Sequence, residues 1–233
     1  MIRPDSRMSA VLALLLLVPA PSLGVYIAMM AAQGQPLGWT AYALCKVWII
    51  ALPVLWLVFV DKGKLSLSPV RQGGLRFGLG LGALMLLAIL VTYHFAGDLI
   101  DIEQLRRSNA ANGLDTPVRF LLLVIPLTLV NSLLEEYVWR WFVFRKCEAL
   151  IGGVPAAFAA GLLFTVHHVF ALKAQTTWEI TALGSLGVFL AGTLWSWCYW
   201  RFRSIWPGYL SHALADVGIY IVGWMMLFGS AGA

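Results

Sequence analysis

Nine ionisable side chains fall inside apolar stretches of this chain: Lys46, His94, Glu135, Glu136, Arg140, His167, His168, His212 and Asp216. At membrane depth such groups are costly and mark functional sites. Most of them belong to three short clusters. The first is Asn131-Ser132-Leu133-Leu134-Glu135-Glu136-Tyr137-Val138-Trp139-Arg140. On a helix Glu136 and Arg140 are four apart and share a face, so they can pair. Glu135 is turned about 100° from Glu136 and about 140° from Arg140, which leaves it to face something else. The second cluster, Phe164 to His168, sets a ring and an imidazole one turn apart, with His167 pointing elsewhere. In the third, His212 and Asp216 share a face flanked by Ala213 and Ala215, small residues that let a neighbouring backbone or a substrate come close. A carboxylate, two imidazoles and an aspartate converging in a dry cavity can activate water. Direct base catalysis is one route. The other is a metal such as Zn²⁺ held by Glu135, His168 and His212.

Membrane helices must position these groups. The chain has 233 residues, 61% hydrophobic and 12% charged, with a mean hydropathy of +0.83. A soluble domain carries about 25% charged residues, so a soluble enzyme, a disordered chain and a collagen-like fibre are excluded. With about 20 apolar residues needed to cross the hydrocarbon, the sequence predicts an all-α polytopic transmembrane bundle of about seven spans, within six to eight. The spans run over about 9–32, 39–60, 77–96, 118–144, 154–172, 181–200 and 205–228. Residues 1–233 read as a single integral membrane domain, with the three clusters on the helices of 118–220. At 1.5 Å per residue, Glu135 lies roughly 14 Å, His168 about 21 Å and His212 about 11 Å from one end of their spans, so the three can meet at one level. The first span continues through Val25–Met30, long for a cleaved signal, and reads as a retained helix.

The net charge of +5 has a topological reading. Arg3, Arg7, Lys62, Lys64, Arg71, Arg76, Arg145, Lys146, Arg201 and Arg203 fall on alternate connections, against Arg106, Arg107, Arg119 and Lys173 on the others. The positive-inside rule then makes the N-terminus cytoplasmic, and no nucleic-acid partner is expected. Trp195, Trp197, Trp200 and Trp206 around Arg201 and Arg203 read as an interfacial aromatic belt. Gly78, Gly80 and Gly82 read as a close helix-packing stripe rather than a phosphate loop. Cys45, Cys147 and Cys198 form no CxxC pair and read as buried thiols. There is no HExxH, no GxSxG and no internal repeat, so a site-2 zinc protease, a rhomboid-like serine enzyme and an inverted-repeat transporter find no support.

Glu135-Glu136-x-x-x-Arg140, then Phe164-x-x-x-His168, then His212-x-x-x-Asp216, in that order on successive membrane helices, resembles the CPBP family of CAAX proteases and bacteriocin-processing enzymes, which includes the Ras-converting CAAX endopeptidase. The likeness covers about residues 118–220; the first three helices carry no signature. It implies that Glu135 and His168 activate the attacking water, that His212 and Asp216 stabilise the oxyanion, and that Glu136 and Arg140 support them. Phe164 one turn before His168 favours His168 over His167 by the family pattern. Both a glutamate-type and a metal-dependent mechanism are described in the family, so a zinc cofactor stays open. The family more often has Asn at the position of Asp216; the aspartate reads as orienting His212. The expected function is therefore intramembrane endopeptidase activity on a membrane-associated protein or peptide, in a bacterial inner (cell) membrane. The alternatives are an ion- or proton-coupled transporter using the same buried groups, and a catalytically silent membrane scaffold.

Overall fold

The computed structural model describes residues 7–229; Arg3 lies outside them. Seven helices are long and apolar enough to cross a membrane: α1 (Arg7–Ala31), α2 (Pro36–Val60), α3 (Leu75–Leu99), α5 (Pro117–Ile151), α6 (Gly153–Lys173), α7 (Trp178–Phe202) and α8 (Trp206–Phe228). A short polar helix, α4 (Ile102–Ala111), joins α3 to α5 and is capped by Asp101, whose carboxylate accepts the Gln104 backbone N–H at 2.9 Å. The fold is the all-α polytopic bundle expected from composition.

Helix α5 departs from the sequence expectation. It runs to Ile151 rather than ending near residue 144, so Arg145 and Lys146 are helical and not in a loop. Its 35 residues span roughly 50 Å at 1.5 Å per residue, well beyond the hydrocarbon thickness, so the last turns stand clear of the apolar core. Two stretches of α5, Leu127–Asn131 and Tyr137–Phe144, are π-helical. The first follows Pro126, which has no N–H to continue the α-helical ladder, and the Ser132 N–H reaches back five residues to the Leu127 carbonyl. Tyr209 Oη on α8 donates to the Leu129 carbonyl in this widened turn at 3.0 Å. Between the π turns sits one α-helical segment, Ser132–Glu136, and it carries both glutamates. Wide π turns re-aim side chains and recur at functional sites.

Two helix pairs frame α5. Helices α3 and α8 pack closely because Gly78 lies against the Pro207 backbone and Gly82 against Ser211 and Leu214; Gly80 faces open space and takes no part in the stripe. Gly78→Leu should therefore cost about 1–3 kcal/mol of stability through overpacking, whereas Gly80→Leu should stay within about 0.5 kcal/mol. Thermal unfolding of the two variants in detergent checks the contrast, and an equal loss in both would remove the packing argument. Helices α6 and α7 meet through Gly161 and Gly192, with the Gly161 Cα directly against the space a Gly192 side chain would need.

The basic connections gather at one end of the bundle. Lys146 Nζ pairs with Asp61 at 2.7 Å, and Arg203 makes a bidentate bond to Glu148 at 2.7 and 2.8 Å. Ser204 Oγ donates to the Ser68 carbonyl at 2.8 Å, and the Ile205 N–H donates to Ser68 Oγ at 3.0 Å, locking the 61–74 connection onto the α7–α8 turn. At the opposite end α4 is held by Gln33 Nε2 to Ser108 Oγ at 3.2 Å and by Gln104 Nε2 to the Thr176 carbonyl at 3.4 Å. All three cysteines are free; Cys147 and Cys198 are buried and Cys45 is half-buried.

Candidate active site

The α-helical segment of α5 aims its two glutamates at α8. Glu136 is fully buried, and its Oε1 lies 3.1 Å from His212 Nδ1 and 3.4 Å from Arg140 Nε. The Glu136–Arg140 pairing follows from their spacing, but the carboxylate also grips the imidazole, so it positions His212 as well as neutralising Arg140. Gly208 makes this possible: a methyl there would occupy the place of Glu136 Oε2. Arg140 lies wholly in the interior, its guanidinium 4.6 Å from the Phe164 ring centre and 5.1 Å from that of Trp195. Stacking on two aromatic faces offsets part of the cost of burying the cation.

Glu135 faces a different set. Its Oε1 accepts the Asn131 side-chain N–H at 3.0 Å and stands 3.8 Å from Lys46 Nζ on α2. Its Oε2 lies 3.8 Å from His212 Nε2, and His168 is within electrostatic reach of the same carboxylate. His168 Nδ1 contacts the Phe164 carbonyl at 3.0 Å. A carbonyl only accepts, so Nδ1 carries the hydrogen and Nε2 keeps its lone pair. Asp216 Oδ1 is 3.8 Å from His212 Nε2, and its other oxygen accepts the Ser132 hydroxyl. The aspartate thus borders the imidazole without a direct hydrogen bond, while Glu136 makes the close contact at Nδ1.

Phe164 is the hub of this arrangement. Its ring lies 4.5 Å from His168, 6.1 Å from His212 and 5.5 Å from Trp139, besides covering Arg140. His167 stacks almost parallel on Trp139 at 5.4 Å and leaves its Nδ1 without a hydrogen bond. The two adjacent imidazoles are 4.1 Å apart. His94, the remaining histidine, is exposed towards the far end of α3 beside Phe95 and away from this cluster.

Trp195 corrects the aromatic-belt reading. It is 96% buried, stacks on His212 at 4.0 Å with an interplanar angle of 17°, and donates from Nε1 to Ser211 Oγ at 3.0 Å. The ring therefore fixes the plane of the imidazole from α7. Lys46 and Asn131 are the other contributors whose role the sequence did not disclose. The signal for Lys46 was a lysine within an apolar span; nothing in its position linked it to α5.

Among the described residues no three His, Cys, Asp or Glu side chains gather closely enough to hold a metal ion. Glu135, His168 and His212 as placed form no such group.

An apolar groove of about 390 Å³ runs between α5 and α8. Phe120, Val124, Thr128, Val217, Tyr220 and Trp224 are among its walls. Thr128 and Tyr220 each lie one turn from a residue of the site, Ser132 and Asp216. Tyr220 is within electrostatic reach of both Asp216 and Glu135, and Val217, the residue after Asp216, lines the groove, so its wall adjoins the polar cluster.

This is a polytopic membrane protein with a cluster of glutamates and histidines enclosed between transmembrane helices. Residues 117–218 match the family model described as Rce1-like, type II CAAX prenyl endopeptidase, which supports a likeness of this region to the CPBP, or CAAX protease, family of membrane hydrolases. No curated protein and no solved structure matches the chain.

Proposed function

We propose that this protein is an intramembrane endopeptidase in which Glu135 and His168 activate water and His212, with Asp216 beside it, stabilises the oxyanion. One observation carries the reading: Glu135, His168 and His212, from three separate transmembrane helices, come within electrostatic reach of one another within the region that matches the CAAX protease family model. A water between Glu135 and His168 Nε2 gives its proton to Glu135, with the imidazole holding the oxygen in line. The hydroxide oxygen attacks the scissile carbonyl carbon, and the carbonyl π pair moves onto oxygen. With Nδ1–H committed to Glu136, the ring of His212 offers Nε2–H to that oxygen when doubly protonated. On collapse, the C–N bond breaks and the proton held by Glu135 passes to the leaving amine, restoring the carboxylate.

The substrate in this proposal is a membrane-associated protein or peptide whose apolar segment lies in the α5–α8 groove while its scissile bond reaches the glutamates. In this proposal the basic end of the bundle faces the cytoplasm of a bacterial cell membrane with the N-terminus inside, a reading supported by the positive-inside rule. The test uses the full-length protein in liposomes with two reporters, one a peptide joined to an apolar membrane anchor and the other the same peptide without it. Cleavage of the anchored reporter alone is expected, and Val124→Trp, which fills the groove, should lower kcat/KM for it about 10-fold or more. Ion flux with neither reporter cut would replace this reading with transport.

A further inference from the structure

Lys46 enters the site from α2, and water activation by Glu135 and His168 gives it no role. It lies near the middle of α2, where an unpaired ammonium would be strongly disfavoured, and its side chain is half-buried. Nζ donates to Asn131 Oδ1 at 2.5 Å. The same amide donates from Nδ2 to Glu135 Oε1 at 3.0 Å. This fixes the amide's orientation, because its oxygen must face the ammonium and its N–H₂ the carboxylate. The order of contacts is therefore Lys46, Asn131, Glu135, and it ends on one particular oxygen. Oε1 is occupied by Asn131 with Lys46 behind it, while Oε2 is turned toward His212 Nε2. Charge points the same way. Three carboxyl groups, of Glu135, Glu136 and Asp216, crowd around one imidazole; Arg140 pairs with Glu136, and Lys46 is the only other lysine or arginine forming an ion pair with any of them among the described residues. His167 and His168 on α6 are also within electrostatic reach of this carboxylate.

We propose that Lys46 is a positioning residue that acts through Asn131: it holds Oε1 of Glu135 in place and thereby assigns Oε2 as the oxygen that takes the proton from water. This inference rests on the endopeptidase reading. A carboxylate freed to rotate would still bind substrate but would present its base out of line, and misplacement by about 1 Å costs up to 100-fold in rate. The role belongs to kcat rather than KM.

Full-length Lys46→Met, Lys46→Arg, Asn131→Asp and Glu135→Gln are compared in liposomes on the anchored reporter. Lys46→Met should lower kcat about 10- to 100-fold with KM within about twofold, and Lys46→Arg should restore most of it. Asn131→Asp keeps a partner for Lys46, and so a reason to fold, but the carboxylate ionised against Lys46 has no hydrogen to donate to Glu135; it should show the same kcat loss. Wild-type kcat in folded Asn131→Asp, or a Lys46→Met defect confined to KM, overturns the inference. If the wild-type protein cuts no anchored reporter, the endopeptidase reading itself falls; if Glu135→Gln cleaves normally, Glu135 is not the base and the inference falls with that assignment; if Glu135→Gln is dead while Asn131→Asp is fully active, only the role of Lys46 falls.

Discussion

Glu135→Gln is expected to abolish peptide cleavage, lowering kcat about 1,000-fold or more, while leaving the amount and thermal stability of the membrane-inserted protein close to wild type. The size follows from what the substitution removes. A positioned general base contributes about 10²- to 10⁴-fold, and a neutral amide can neither take a proton from water nor return one to the leaving amine. Folding should survive because the glutamine keeps an oxygen for the Asn131 N–H and changes little in volume. Lys46 loses an ion pair at 3.8 Å but retains its hydrogen bond to Asn131. His168→Ala should act in the same direction, since Nε2 is the free acceptor of a ring whose Nδ1 is held by the Phe164 carbonyl. The measurement is single-turnover cleavage of the anchored reporter by purified protein, with detergent-resistant folding followed in parallel. Cleavage by Glu135→Gln within tenfold of wild type would remove Glu135 as the base.

How much of this could be read from the sequence depended on whether the relevant contact was local. The seven apolar spans announce themselves, since crossing hydrocarbon demands length and apolarity and little else. The pairing of Glu136 with Arg140 is an i, i+4 relation and needs only a helix. The meeting of Glu135 with His168 and His212 was accessible because depth along a membrane helix is set by its rise per residue. What stayed hidden were contacts that depend on rotation about the helix axis and on which helices are neighbours. Trp195 sits in a tryptophan-rich stretch that composition assigns to the interface, yet the rotation of α7 turns it inward against His212. Gly80 shares the spacing of Gly78 and Gly82, but its face is open. Lys46 is 85 residues from Asn131 in the chain, and no local pattern predicts that α2 delivers it to α5. The π turns around residues 132–136 belong to the same class, since they alter the facing of every side chain after them.

Arg140→Leu is expected to cause the largest loss of stability, about 3–5 kcal/mol, because breaking a buried ion pair from one side leaves the other charge uncompensated. Glu136 would remain wholly buried with His212 Nδ1 as its closest polar partner, and the pocket between Phe164 and Trp195 would lose the cation that both rings cover. Glu136→Leu should be about as harmful for the converse reason. The double variant Glu136→Leu/Arg140→Met removes both charges together, and apolar replacement of a buried pair is often neutral or stabilising. It should therefore recover much of the lost stability, by a coupling of about 2 kcal/mol or more in a double-mutant cycle. Activity should not return with it. The rescued protein lacks the acceptor that holds Nδ1 of His212, so the imidazole is fixed only by stacking on Trp195 and kcat stays depressed. Thermal unfolding and reporter cleavage, measured on the same four proteins, separate the two roles of Glu136. Recovery of both stability and cleavage in the double variant would mean that the carboxylate does no more than balance the guanidinium.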